Sequence, residues 1–242
     1  MSINSGFERV YEIGSLFRSN KSRTSRHTTE FTGYDIEMAY IDNYMNLMQF
    51  EEDLLIYCIK KVQQELGQEI KSILDVQIEV PTAPFPRIQI QKAKKMIGGN
   101  VDNIDYLGDL SSGEEVLIGE IVEKEYNNDF VFITNYPYSI RPFYHMKSGK
   151  SGTMSFDLLY KGIEITTGAQ REHRYDVLLE QAKEKDINTE KIGFYLNSFK
   201  YASPPHGGMG IGPARIIMKL LKLKNIDEAT FFPTTPDRLS PD

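Results

Sequence analysis

Over the first forty residues, apolar and polar positions alternate with the period of a strand. Positions 9–18 carry Val10, Tyr11, Ile13 and Leu16, bulky β-prone residues that predict a strand. A polar, basic and turn-rich stretch over 19–25 reads as a loop. A second strand is predicted over 29–41. It has Phe31, Asp35 and Glu37 on one face and Tyr34, Ile36, Met38 and Tyr40 on the other. An aromatic beside two carboxylates suits the floor of a site; an exposed edge with incidental acids is the plainer alternative. The period then lengthens to three and four. Tyr44, Leu47, Met48, Leu54, Leu55, Cys58, Ile59, Val62 and Leu66 predict a helix over 43–66 that covers the sheet and ends at Gly67.

Pro81 and Pro86 bracket a break in regular structure. Ser111 with Glu114 forms a capping box ahead of a helix to about 126, so about 92–126 reads as a small helical insertion. Positions 129–134 predict a buried strand, and 147–152 a flexible loop. Strands over 156–160 and 163–167 are joined at the Lys161-Gly162 turn. Helices are predicted over 175–185, 189–200 and 213–223. Strands linked mainly antiparallel, with helices packed on one face, indicate an α+β fold.

At 242 residues the chain suffices for one well-buried domain with an insertion. A net charge of -6 argues against non-specific coating of nucleic acid and confines any RNA contact to a local patch. The one cysteine, Cys58, excludes an internal disulfide framework, falls on the apolar helical stripe as a buried core thiol, and suits a reducing cytoplasm. No stretch of about 20 apolar residues is present, so no membrane span is expected.

Several groups are candidates for chemistry. The strand 207–212, Gly207-Gly208-Met209-Gly210-Ile211-Gly212, runs into Pro213-Ala214-Arg215 at the start of a helix. Its glycines let a flat ligand lie on bare backbone, and the helix start with Arg215 supplies positive potential for phosphate. Arg18, Arg26 and Arg215 stand at element ends, placed to clamp a polyphosphate with His27 as a further donor, or else as solvated surface arginines. Asp157 and Glu164 face each other across the hairpin turn, and Thr167 lies three residues on. Two carboxylates and a hydroxyl suit Mg²⁺, while a surface hairpin with scattered acids is the alternative. Arg171 follows the small residues Gly168 and Ala169 and is either a two-pronged carboxylate binder or half of an ordinary salt bridge. The four histidines lack zinc spacing.

Taken together, these motifs resemble the aspartyl-tRNA synthetases, class II aminoacyl-tRNA synthetases, in order over nearly the whole chain. Phe17-Arg18 through Arg26-His27 and Glu30-Phe31 is similar to motif 2, and Pro204-Pro205-His206-Gly207-Gly208 through Arg215 to motif 3. Asp129-Phe130-Val131 through Arg141-Pro142-Phe143-Tyr144 resembles the stretch before the substrate site. Gly162-Ile163-Glu164 through Gly168-Ala169-Gln170-Arg171 resembles the metal and aspartate site. Asn225-Ile226 and Arg238-Leu239-Ser240-Pro241 resemble the family's ending, and Arg171-Glu172-His173-Arg174-Tyr175 the archaeal-type, non-discriminating subgroup.

The resemblance implies an antiparallel sheet flanked by helices and ATP-dependent activation of aspartate, followed by its transfer to tRNA(Asp) and, in this subgroup, tRNA(Asn). It implies an ATP site of Arg18, Ser19, Asn20, Arg26, His27, Thr28, Phe31, Glu164, Gly212, Pro213, Ala214 and Arg215. Within it Arg18 holds the α-phosphate, Arg26 and His27 the outer phosphates, and Phe31 and Arg215 sandwich adenine; Arg18 and Arg215 are the catalytic pair. Thr167 and Arg171 bind aspartate, and Glu164, Thr167 and Asp157 hold Mg²⁺. Three positions depart from the pattern: Asn20 and Ala214 stand where glutamates are usual, and Thr234 where an arginine is common. The resemblance also implies a partial catalytic domain over 1–242, without the family's anticodon-binding barrel. Motif 1, through which full-length members form homodimers, is likewise not found. Two other readings stay open: a tRNA-independent, asparagine synthetase-like amino-acid-activating enzyme, and a non-catalytic nucleotide-binding module.

Overall fold

A computed structural model describes residues 1–19, 24–99, 103–104 and 107–238. Its centre is a seven-stranded sheet in the order β1-β2-β9-β8-β7-β4-β3. The strands are β1 (Arg9–Phe17), β2 (Glu30–Ala39), β3 (Arg87–Gln89), β4 (Phe130–Thr134), β7 (Ser155–Tyr160), β8 (Ile163–Gln170) and β9 (His206–Ile211). Every pairing is antiparallel except β3 with β4. The α+β architecture follows from the alternating and doubly apolar strand patterns.

Helix α1 (Met45–Leu74) covers one face. Leu47, Met48, Leu55 and Ile59 pack there with Ile36, Met38, Phe132, Leu158 and Met209. The helix runs past Gly67 and ends at Asp75, whose φ of 53° closes it. A glycine inside a helix costs only about 1 kcal/mol relative to alanine. Packing of Ile70 on the core and a 2.8 Å bond from Gln63 Nε2 to the Ile78 carbonyl offset that cost. Cys58 is exposed, not buried as the stripe suggested. The helix turns its core stripe through Leu55 and Ile59, leaving Cys58 on the margin beside Tyr34.

On the other face, α2 (Ile90–Met96) and α3 (Ser112–Tyr126) close a second core with Ile88, Val131, Ile133 and Leu159. Strand β4 is therefore buried on both sides. The Ser111–Glu114 capping box starts α3 as expected. Close backbone contact locks α3 to the β7–β8 turn: a Cβ on Gly119 would lie 2.6 Å from the Gly162 amide. Positions 147–152 are more ordered than a loop, since β5 (Lys147–Ser148) pairs with β6 (Gly152–Thr153). Helix α4 (Tyr175–Glu184) forms as expected, but α5 (Gly193–Asn197) is far shorter than 189–200. Asn188 Oδ1 accepts the Glu190 and Lys191 amides, satisfying them in a turn instead of a helix. Helix α6 (Pro213–Leu220) carries Pro at its first turn.

Candidate active site

The face of β2, β8 and β9 turned away from α1 is the floor of a cleft of about 360 Å³. Strand β9 permits it: a Cβ on Gly208 would stand 2.1 Å from the Ile36 carbonyl oxygen, and one on Gly210 would stand 2.8 Å from Asp35 Oδ1. Only bare backbone lets the β2 carboxylates lie across the neighbouring strand.

Arg18, Arg26, His27, Thr28 and Phe31 line the cleft from the β1–β2 side, with Leu16 opposite Phe31 in register. The Arg18 guanidinium stands 5.4 Å from the Phe31 ring centroid. Burial first, then Arg215, Arg26 and Arg18, lower the His27 pKa, which keeps this ring neutral near pH 7. Thr24 Oγ1 and His27 Nδ1 are 2.6 Å apart.

Gly212, Ala214 and Arg215 close the wall from α6, and Glu164 and Thr167 rise from β8. Arg215 Nη1 donates to the Glu164 carbonyl at 2.6 Å and lies 3.6 Å from its carboxylate. Thr167 Oγ1 donates to Glu164 Oε1 at 3.3 Å. Burial, and next the charge of Asp157, push the Glu164 carboxyl up to about 7. Arg26 Nη2 donates at 2.8 Å to Glu115 Oε2 of α3, which also accepts the Glu164 amide at 3.2 Å.

Arg171, just past β8, forms the other end. It donates through Nη2 at 2.6 Å and Nε at 3.1 Å to Glu37 Oε1 of β2. The ring of Tyr144 lies 5.5 Å from its guanidinium carbon, and His145 Nε2 lies 3.3 Å from its Nη1. Burial, with Arg171 and Arg141 adding to it, lowers His145 to about 2, so it is a neutral acceptor here. Asp35, two residues before Glu37, also lines the floor, its pKa raised by burial and by Glu12 and Glu37.

Arg18, Glu164, Arg171 and Arg215 thus share one cavity. Three expected residues sit elsewhere. Ser19 is exposed and off the cleft wall, and Pro213 begins α6 without lining it. Asp157 is buried opposite Thr167 in register, where Arg141 Nη2 donates to its Oδ2 at 2.5 Å, and it does not itself line the cleft. Asn20 and the Leu239-Ser240-Pro241 ending lie outside the described residues. Among site residues, Glu115, Tyr144, His145 and the Glu37 partnership were not assigned from sequence. Glu37 was at least marked by its place on the polar face of β2. Glu115 carried no signal beyond adjoining a capping residue.

The family model "tRNA synthetases class II (D, K and N)" matches residues 1–236. The chain is 40% identical over 244 residues to the aspartate--tRNA(Asp/Asn) ligase of Aeropyrum pernix, covering 99% of this chain and 55% of that protein. It is 40% identical to the aspartate--tRNA(Asp) ligase of Pyrococcus furiosus, covering 98% of this chain and 54% of that protein. The chain therefore spans about half the length of the curated relatives it matches. Among solved structures, an aspartyl tRNA synthetase from Entamoeba histolytica superposes with a TM-score of 0.91 at 34% identity, over 99% of this chain and 50% of that one. The asparaginyl-tRNA synthetase from Pyrococcus horikoshii, complexed with asparaginyl-adenylate, gives 0.87 at 31%, over 99% and 56%.

Proposed function

The chain belongs to the class II tRNA synthetase family (D, K and N), and from that premise we propose that it activates aspartate with ATP and passes the aspartyl group to tRNA(Asp), with tRNA(Asn) as a second acceptor. The observation that carries this reading is one cleft with a cluster of cations at one end and Arg171 at the other. An aminoacyl-adenylate has the same polarity, nucleotide at one end and amino acid at the other.

The chemistry asks little of the protein. A carboxylate with a pKa of about 4 is ionised at pH 7, so no general base is required. The α-carboxylate of aspartate attacks the α-phosphorus in line. A carboxylate–phosphorus bond forms, the bond to the β-phosphate bridge breaks, and pyrophosphate leaves with the electron pair. Arg18 holds the α-phosphate, Arg26 and neutral His27 the outer phosphates, and Phe31 and Arg215 flank adenine. Each acts by positioning and by offsetting charge that develops in the transition state. Arg171 receives the side-chain carboxylate, with Thr167 beside it, and Asp35 is the floor carboxylate available to the substrate ammonium. In the second step a terminal ribose hydroxyl of tRNA attacks the acyl carbon; an ester bond forms, the bond to the phosphate oxygen breaks, AMP leaves with the electron pair, and the hydroxyl proton is released.

Mg²⁺ fits the donor set. Glu164 is a carboxylate of raised pKa with Thr167 bonded to it, and Arg215 spends one nitrogen on the Glu164 carbonyl. Among the described residues no group of three or more His, Cys, Asp or Glu could cage a metal. Mg²⁺ keeps several waters and takes phosphate oxygens, so it needs few protein ligands. Glu164 and Thr167 would hold it, with Asp157 in support beside Thr167, and it would supply charge compensation to the phosphates. We read residues 1–242 as a partial class II catalytic unit and about 92–126 as its helical insertion.

Aspartate-dependent exchange of labelled pyrophosphate into ATP tests the proposal. Exchange with aspartate and not with asparagine supports it; exchange with asparagine alone overturns the substrate assignment.

A further inference from the structure

We propose that Glu115, on the helical segment α3, is a positioning residue that fixes both the triphosphate arm and the start of β8 for catalysis. The inference rests on the reading of Arg26 as a phosphate ligand. One oxygen, Oε2, accepts from Arg26 Nη2 at 2.8 Å and from the Glu164 amide at 3.2 Å. The two donors come from elements far apart in sequence, the β1–β2 connection and β8. The pair is sheltered, with side-chain exposures of 16% for Arg26 and 10% for Glu115.

Three features set its role. Arg26 lines the cleft and Glu115 does not, so the carboxylate holds the guanidinium from behind instead of occupying the ligand's place. Nη2 alone is engaged by Glu115, which leaves the remaining guanidinium hydrogens for a phosphate. The support is stiff: α3 is capped by Ser111, tied through Glu114 to Lys94 at 2.8 Å, and pressed backbone to backbone on the β7–β8 turn. A long side chain held in advance does not lose its rotamer freedom on binding. Residue Glu115 therefore connects the insertion to the nucleotide site without touching substrate.

The test is calorimetric titration of ATP into the full chain and its Glu115→Ala, Glu115→Gln and Arg26→Ala variants, each checked for an unchanged unfolding midpoint. Glutamine keeps an accepting oxygen at the same reach, so positioning predicts rescue. Expected are a roughly fivefold to tenfold weaker ATP affinity for Glu115→Ala and a change within about threefold for Glu115→Gln. In an Arg26→Ala background, Glu115→Ala should have a clearly smaller effect, that of its contact with the Glu164 amide alone. Wild-type ATP affinity in Glu115→Ala, with Arg26→Ala impaired, overturns the positioning role alone. An undiminished effect in the Arg26→Ala background also overturns it. Unchanged ATP affinity in Arg26→Ala removes the phosphate reading beneath it.

Discussion

Replacing Arg171 by alanine separates what this residue does for the fold from what it does for a substrate. Its side chain is 17% exposed, and that of its partner Glu37 is 32% exposed. Breaking a fully buried ion pair costs about 3–5 kcal/mol. The Glu37 side chain is partly exposed but its Oε2 is buried without a hydrogen-bond partner, so the loss should fall to about 2–3 kcal/mol. Substrate binding should suffer as well. A hydrogen bond to a charged group contributes about 1.5–3 kcal/mol, which is roughly 10- to 150-fold in affinity for aspartate. ATP binding should stay within about twofold. Glu164 and Arg171 are seven residues apart along β8, which in extended chain is roughly 20 Å. The assay is calorimetry with aspartate and with ATP, alongside thermal unfolding. Adding Glu37→Gln should recover stability without recovering aspartate affinity. Aspartate binding within twofold of the parent would refute the reasoning, because the guanidinium would then serve Glu37 alone.

Gly208→Ala should lower stability by about 1–3 kcal/mol or more, since its Cβ would meet the Ile36 carbonyl at 2.1 Å and the Glu37 carboxyl carbon at 2.3 Å. For a chain of this size that is a fall of several degrees in Tm by calorimetry, roughly 2–4 °C per kcal/mol. Glu51 is fully buried, and burial raises its pKa to about 8. The folded state then holds a proton that the unfolded state releases above about 4.5, so stability should fall as pH rises from about 4.5 to about 8. Glu51→Gln should flatten that slope, by an amount on the order of a few kcal/mol, in denaturant titrations across pH. Cys58 should react with one equivalent of a thiol reagent in the native protein, because it is exposed. Its rate should climb with pH, since burial of part of the side chain raises its pKa; reaction only after unfolding would contradict its placement.

The elements and the cleft were legible to different depths. Strands with a clear period of two, such as β1 and β2, and the capped start of α3 depend on local chemistry and were readable from neighbours in sequence. The extent of α1 was not, because Gly67 is a weak stop that tertiary packing of Ile70 outweighs. Cys58 shows a similar limit: helical spacing defines a stripe but not how wide a strip the sheet covers. The cations of the cleft could be picked out as arginines at element ends, since those ends converge in this fold. Their carboxylate partners could not. Glu37 meets Arg171 only because β2 and β8 both flank β9, and Glu115 reaches Arg26 only because α3 rests on the β7–β8 turn. Asp157 was grouped with Glu164 by a spacing across the turn. The β7–β8 register does set it opposite Thr167, but its pairing with Arg141, which comes from a segment distant in sequence, is not visible in that spacing.

The account turns on one cleft that grips a nucleotide at its Arg18, Arg26 and Arg215 end and an acidic side chain at Arg171. Calorimetry with a non-hydrolysable aspartyl-adenylate analogue and its asparaginyl counterpart measures this directly. The account predicts that the aspartyl analogue binds tighter than either ATP or aspartate alone, and at least tenfold tighter than the asparaginyl one. Equal binding of the two analogues, or an aspartyl analogue no tighter than ATP, would contradict it.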